Sequence, residues 1–93
     1  MYKVLLADDE KVILQGISTM VDWEGHNPKL VGTALNGIMA YEMIRQDPPE
    51  IVITDIKMPG MDGLELIRNT REKFPDIKFI ILSGYGEFEF AKK

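Results

Sequence analysis

Carboxylates follow two apolar, β-branched stretches of the chain, at the points where each stretch gives way to a loop. Asp8-Asp9-Glu10 comes directly after the apolar run at residues 4–7, and Asp55 comes directly after residues 51–54 and ahead of the turn Pro59-Gly60. A buried strand delivers a charged group to the loop at its carboxyl end in this way. Two strands that end in acids predict a site for metal-dependent phosphoryl chemistry.

Asp8, Asp9 and Asp55 would repel one another if they were crowded together, unless a cation neutralised them. All-oxygen ligands without a nearby histidine or cysteine favour Mg²⁺, which binds a few carboxylates and keeps positions for water and a phosphate. Asp55 ends a buried strand and precedes a loop, so we expect it to act as a nucleophile and form an aspartyl phosphate. The hydroxyl of Ser83, after the fourth apolar run, could donate a hydrogen bond to a phosphoryl oxygen on Asp55.

Simpler roles exist for the same side chains. Asp8 and Asp9 could cap the first helix, and Ser83 could be an ordinary loop residue. Asp62 is expected to cap a helix, with Glu65 as its reciprocal partner, and not to bind a metal. The presence of Asp55 at the end of a second strand argues against capping as the whole role of the acids.

The elements that must position these acids alternate between strands and helices. Strands are predicted at residues 3–7, 30–34, 51–54 and 78–82, and helices at 11–21, from Asn36-Gly37 to before Pro48, from Asp62 to Pro75, and from 87 onward. This alternation predicts an α/β fold, a flavodoxin-like doubly wound parallel sheet of strand order 2-1-3-4, with helices on both faces. Strands one and three adjoin in that order, which would bring the three aspartates together.

Helical spacing also predicts which faces are buried. The first helix would bury Val12, Ile13, Ile17, Met20 and Val21, and the third has Leu64, Ile67, Arg71 and Phe74 at helical spacing. Ile38, Met39 and Met43 extend the apolar face of the second helix, and core packing is the expected reason.

The composition argues against several classes of function. With 93 residues and a net charge of -4, the chain is typical of one globular domain and lacks the basic balance of a nucleic-acid surface. It contains no cysteine, and therefore no disulfide framework or thiol nucleophile. No apolar run is long enough to span a bilayer and the first strand has no signal peptide before it, so a cytoplasmic location is the default expectation.

Three segments resemble the receiver domain of two-component response regulators: Leu6-Ala7-Asp8-Asp9-Glu10, the Asp-x-x-Met-Pro-x-x-Asp-Gly motif at residues 55–63, and Leu82-Ser83-Gly84-Tyr85. The resemblance implies that Asp55 is the phosphoacceptor and that a histidine kinase supplies the phosphoryl group. It also implies that Asp9 and Asp55 bind Mg²⁺ directly, that Asp8 does so mainly through water, and that the backbone carbonyl of Lys57 completes the protein ligands. Ser83 would be the switch hydroxyl.

Two further segments suggest what the receiver is attached to. Residues 22–26 and 83–91 are similar to regulators that carry an AraC-type DNA-binding domain downstream. That similarity implies transcription regulation in a full-length protein, with DNA bound through the other domain and not through this segment.

The chain departs from the receiver pattern at its end. The family has a fifth strand, with a lysine that pairs with the phosphoryl group, and a closing helix, whereas residues 1–93 end before them. We therefore expect a receiver domain truncated at its carboxyl end. Residues 79–82 would then form an apolar edge strand, which predicts a homodimer or a strand-exchanged dimer.

Three alternative functions compete with the phosphoacceptor. A Mg²⁺-dependent phosphatase with Asp55 as nucleophile would need a general acid two residues on, where Lys57 stands, so an enzyme is disfavoured. An interaction or dimerisation module of the same fold that takes no phosphate stays open for a chain without the family lysine. A flavin-binding domain is disfavoured because acids at the strand ends repel a phosphate unless a metal intervenes.

Overall fold

A parallel sheet with strand order β2-β1-β3-β4 runs through the part of the chain that the computed structural model describes, residues 2–20 and 28–82. The elements follow in the order β1 (Tyr2–Ala7), α1 (Lys11–Met20), β2 (Pro28–Ala34), α2 (Gly37–Gln46), β3 (Ile51–Asp55), α3 (Gly63–Lys73) and β4 (Lys78–Leu82). The predicted flavodoxin-like sheet and its strand order are confirmed. The predicted helix from residue 87 onward lies outside the described residues.

The two sides of the sheet pack against different helices. On one side, Leu5, Ala7 and Val52 belong to a cluster completed mainly by α2 and α3, with Ala40, Ile44 and Leu66 fully buried. On the other side, Val4 and Leu6 pack with Leu14 of α1, and Ile17, Ile51 and Ile53 lie against them. Successive strand residues alternate between the clusters, as the period of a strand requires. Helices therefore cover both faces, as predicted.

Short-range signals fix the beginning of α2 and α3. The side chain of Asn36 accepts a hydrogen bond from the backbone N–H of Met39 at 2.7 Å, which caps α2. Asp62 and Glu65 form the predicted capping box at α3: Asp62 Oδ1 accepts from Glu65 N at 2.8 Å, and Glu65 Oε1 accepts from Asp62 N at 3.3 Å. Asp62 thus caps a helix, as expected.

The predicted buried faces of the helices are partly wrong. In α1, Val12 is 77% exposed and Ile13 is exposed, whereas Leu14 is buried. Ile17 packs against the core as predicted, and Val21 and the side chain of Met20 lie outside the described part of the chain. In α3, Leu64 and Arg71 face solvent, and the buried positions are Gly63, Leu66 and Thr70. In α2, Ile38 and Met39 are exposed instead of packing in the core, although Met43 does pack against it.

The amino ends of three strands are joined through Glu50. Its backbone N–H donates to the carbonyl of Lys3 in β1 and its carbonyl accepts from Lys78 in β4, both at 3.0 Å. Its carboxylate also accepts a hydrogen bond from the backbone N–H of Lys3. These hydrogen bonds lie at the amino ends of the strands, whereas the three aspartates lie at the carboxyl ends.

The apolar edge strand predicted at residues 79–82 is β4, in which Ile80 and Ile81 are exposed within the described part of the chain. Pairing of two chains along this strand stays a prediction. None of the helices described here has the length and apolar character that crossing a bilayer requires.

Candidate functional site

The β1–β3 register places Asp8 and Asp55 at the same level of the sheet. Ala7 pairs with Thr54 in this parallel ladder, and Asp8 and Asp55 are the residues that come next. The backbone N–H of Asp8 also donates to the carbonyl of Ala34 at the end of β2, at 3.0 Å. Three neighbouring strands therefore hold the backbone from which Asp8 and Asp55 project.

The structure brings the three predicted aspartates together. One carboxylate oxygen from each of Asp8, Asp9 and Asp55 lies within 4.8 Å of the other two. Asp8 is buried, with 3% of its surface exposed, Asp55 is partly buried, and Asp9 is exposed. The cluster is thus anchored in the protein at Asp8 and open to solvent at Asp9.

Backbone donors orient two of the carboxylates. Asp8 Oδ1 accepts a hydrogen bond from Glu10 N at 2.9 Å, and Asp55 Oδ1 accepts one from Ile56 N at 2.8 Å. Both distances are typical of good hydrogen bonds to an ionised oxygen. Asp8 thus closes a turn ahead of α1: its acceptor bond is to the N–H of Glu10, which precedes the first helical residue Lys11, so this bond is not the helix cap of the simpler alternative.

The donor set fits a hard divalent cation. Mg²⁺ binds oxygens at about 2.1 Å, so two ligands on opposite sides of the ion are about 4.2 Å apart, and Ca²⁺ allows roughly 5 Å. Three ligands cannot all lie opposite one another, and adjacent ligands of Mg²⁺ are only about 3.0 Å apart, so separations of up to 4.8 Å are wider than direct binding by all three aspartates requires. Carboxylates without histidine or cysteine are the ligands of such ions. The cluster could hold the ion after a small contraction or through an intervening water.

The loop between β3 and α3, residues 56–62, closes one side of the site. It is fixed at its far end by the hydrogen bond from Gly63 N to Ile56 O, at 2.7 Å. Within the loop, the side chain of Met58 is buried. Gly60 adopts a φ of 78°, a left-handed conformation that glycine takes without strain. Lys57 lies in this loop two residues after Asp55, with its side chain in solvent. Its role as a carbonyl ligand stays a prediction.

The predicted switch hydroxyl lies outside the described residues. Ser83 follows Leu82, and Leu82 pairs with Asp55 in the β3–β4 ladder. The register therefore ends one residue short of Ser83, on the strand that neighbours Asp55. Its contact with a phosphoryl group stays a prediction.

Two residues of the site were given no role of their own in the sequence analysis. Thr54 is fully buried next to the cluster, and its hydroxyl donates to the carbonyl of Asp55 at 2.9 Å. Gly63 has no room for a side chain, because a Cβ there would overlap the Asp55 carbonyl oxygen and lie 3.0 Å from Ile56 Cα. Two sequence features could have pointed to these roles: a threonine at the buried end of a strand, and a glycine directly after a capping aspartate.

The fold and site together define a flavodoxin-like α/β domain with a cluster of three aspartates, which could hold a cation, at the ends of its first and third strands. The model of the response regulator receiver domain family matches residues 4–93, and the chain belongs to this family. The resemblance read from the sequence is thereby confirmed.

Several known proteins are similar to the chain. It is 56% identical over 93 residues to the uncharacterized transcriptional regulatory protein YesN of Bacillus subtilis, covering all of this chain and 25% of that protein. It is 44% identical over 92 residues to an uncharacterized response regulatory protein of Staphylococcus epidermidis, covering 99% of this chain and 36% of that protein. The chain thus spans between a quarter and about a third of the length of these relatives.

Solved structures agree with this assignment. The REC domain of AraT, a response regulator from Geobacillus stearothermophilus, superimposes with a TM-score of 0.90 at 40% identity, covering 98% of this chain and 70% of that one. A two-component transcriptional regulator AraC from Clostridium phytofermentans gives a TM-score of 0.83 at 33% identity, covering 99% and 71%.

Proposed function

We propose that this receiver domain accepts a phosphoryl group on Asp55 from a histidine kinase, with Mg²⁺ bound at Asp8, Asp9, Asp55 and the Lys57 carbonyl. The observation that carries the proposal is the convergence of three aspartate carboxylates within 4.8 Å at the ends of β1 and β3. Such a cluster is costly to maintain without a cation and suited to one that also binds a phosphate.

The proposed transfer uses Asp55 as a nucleophile. One of its carboxylate oxygens forms a bond to phosphorus as the bond between phosphorus and the donor histidine nitrogen breaks, and the electron pair leaves with the imidazole. A cation held by the aspartates would supply positive charge that offsets the negative charge of the transferring group. The hydrogen bond from Ile56 N orients the Asp55 carboxylate, and Ser83 would donate to a phosphoryl oxygen after transfer.

The phosphorylated Asp55 would act as a signal and not as an intermediate in a catalytic cycle. Phosphorylation replaces the single negative charge of an ionised carboxylate with the roughly two charges of an acyl phosphate and adds hydrogen-bond acceptors, which can bias a two-state surface. Relatives that this chain partly spans are named transcriptional or response regulators. We therefore propose that residues 1–93 belong to a receiver domain that regulates transcription in the cytoplasm through a separate DNA-binding domain.

Intact-mass spectrometry tests the proposal. The chain is incubated with Mg²⁺ and acetyl phosphate, beside Asp55→Asn and beside Asp76→Asn, which changes an exposed aspartate in the loop before β4. We expect one phosphoryl adduct on the parent and on Asp76→Asn, and none on Asp55→Asn. Removal of Mg²⁺ with EDTA should abolish the adduct on the parent and on Asp76→Asn.

Circular dichroism separates failure of the chemistry from failure of the fold. A parent chain that is folded but takes no adduct would overturn the phosphoacceptor and leave the alternative of an interaction module of the same fold. An adduct that survives on Asp55→Asn would place the acceptor elsewhere. Continuous release of inorganic phosphate, many equivalents per chain, would instead support the phosphatase alternative.

A further inference from the structure

We infer that Gly37, the first residue of α2, is a positioning residue for the proposed cation site. The backbone of the 56–62 loop packs directly against Gly37. The inference rests on the proposed function, since it concerns the same site. A Cβ on Gly37 would overlap the carbonyl oxygen of Met61 and lie 2.7 Å from its carbonyl carbon and 2.9 Å from its Cβ. The backbone of the loop therefore lies where any side chain at position 37 would be.

The same loop has a second contact of this kind at its end. Gly63 lies against the backbone of Asp55, where a Cβ would be 3.0 Å from the Asp55 carbonyl carbon, and its amide donates to Ile56 O. Residues 56–62 are thus held between Asp55 and the first turn of α2. Lys57, whose carbonyl is the proposed ligand, lies inside this restrained segment.

Ile38 adds a side-chain contact to the backbone contact of Gly37. A Cβ on Gly60 would lie 3.0 Å from Ile38 Cδ1 and 3.6 Å from Ile38 Cγ1, so the isoleucine covers the left-handed turn of the loop. This contact gives a role to Ile38, which is 55% exposed and which the core does not bury. Two consecutive residues of α2 therefore fix two points of the loop.

The needs of α2 itself do not explain a glycine at position 37. Asn36 caps the helix through Met39 N, and this hydrogen bond does not involve residue 37. Glycine is among the least favourable residues within a helix, so helix formation alone favours almost any other residue. The close approach of Met61 is the feature that requires it.

A Mg²⁺ titration followed by two-dimensional NMR tests the inference with Gly37→Ala and Gly16→Ala. Gly16 lies in α1, and among the described residues nothing beyond its own stretch of helix lies within 4 Å of the position that a Cβ would take, so its variant controls for the substitution itself. We expect Gly37→Ala to bind Mg²⁺ about 10-fold more weakly than the parent, the loss typical when support of a ligand is removed. Gly16→Ala should match the parent.

The metal-free spectra provide a second readout. In Gly37→Ala the amide resonances of residues 56–62, except Pro59 which has no N–H, should shift, whereas those of β1 should not. If Gly37→Ala loses stability but binds Mg²⁺ as the parent does, glycine 37 has only a structural role and the inference is overturned. If the parent itself binds no Mg²⁺, the proposed cation site is wrong, and the parent titration alone reveals it.

A second pair of variants keeps the test decisive if Gly37→Ala does not fold. Ile38→Ala removes the contact with Gly60, and Leu64→Ala removes a side chain of similar size and exposure, 54%, from the first turn of α3. We expect Ile38→Ala to weaken Mg²⁺ binding and Leu64→Ala to leave it unchanged. Equal affinities in these two folded variants would overturn the inference.

Discussion

Gly63 begins α3 in direct contact with Asp55, the last residue of β3. Its amide donates to Ile56 O at 2.7 Å, and an added Cβ would overlap the Asp55 carbonyl oxygen. The contact between β3 and α3 is therefore made by backbone atoms of both elements, so neither element can shift without the other. The position of the proposed phosphoacceptor thus depends on a residue that carries no functional group.

Gly63→Ala should lower the free energy of unfolding by about 2 kcal/mol, because the methyl group meets backbone that cannot move aside cheaply. Urea unfolding followed by circular dichroism measures the change. Gly16→Ala, in open space within α1, should instead raise it by about 0.5–1 kcal/mol through the better helix propensity of alanine. A parent-like midpoint for Gly63→Ala would contradict the contact.

Magnesium should stabilise the folded chain if the aspartates bind it. At a free concentration 100-fold above Kd the gain is about 2.7 kcal/mol, visible as a rise in the thermal midpoint. Asp9→Asn should abolish most of this rise, and in metal-free buffer it should stabilise the chain by up to about 1 kcal/mol by relieving repulsion in the cluster.

Asp76→Asn is the control for that experiment, since Asp76 is an exposed acid in the loop before β4. Its response to Mg²⁺ should equal that of the parent. A stabilisation that persists in Asp9→Asn at the parental level would mean that the ion binds elsewhere.

The buried face of α3 can be tested by truncating two leucines two residues apart. Leu66 has none of its surface exposed, so Leu66→Ala should cost about 3 kcal/mol. Leu64→Ala should change stability by less than about 0.5 kcal/mol, because Leu64 faces solvent. Similar losses for both variants would show that the helix is rotated from the orientation described.

Thr70 buries a hydroxyl that has no hydrogen-bond partner among the described residues. Valine has nearly the same shape without the hydroxyl, so Thr70→Val should raise the free energy of unfolding by about 1 kcal/mol. In Thr19→Val the lost hydroxyl is exposed and bonded to Gln15 O and Gly16 O, and no gain is expected. Destabilisation by Thr70→Val would indicate a hydrogen bond to water or to a residue outside the described range.

The sequence sufficed for a parallel sheet and, once the flavodoxin-like strand order was adopted, for the meeting of Asp8, Asp9 and Asp55. Short apolar runs each ended at a carboxylate or a turn, and parallel topology brings such ends to one edge of the sheet. Beginnings of helices were also readable, because Asn36 and Asp62 act within three residues of themselves.

The orientation of the helices was harder to predict because it depends on contacts distant in sequence. In α1 the apolar residues exceed what one stripe can hold, and the sheet buries Leu14 while Val12 points to solvent. In α3 the core accepts the polar Thr70. The contact between Met61 and Gly37 is made by residues 24 positions apart, so no local pattern in the sequence predicts it.

Alternation in β3 protects the site against a slip of the strand. Val52 packs on the side of α2 and α3, whereas Ile51 and Ile53 pack on the side of α1. A shift of one residue would send each of these side chains to the opposite face and withdraw Asp55 by about 3.3 Å, more than the length of a Mg–O bond. The packing of apolar side chains thereby sets how far the Asp55 carboxylate extends beyond the end of the strand.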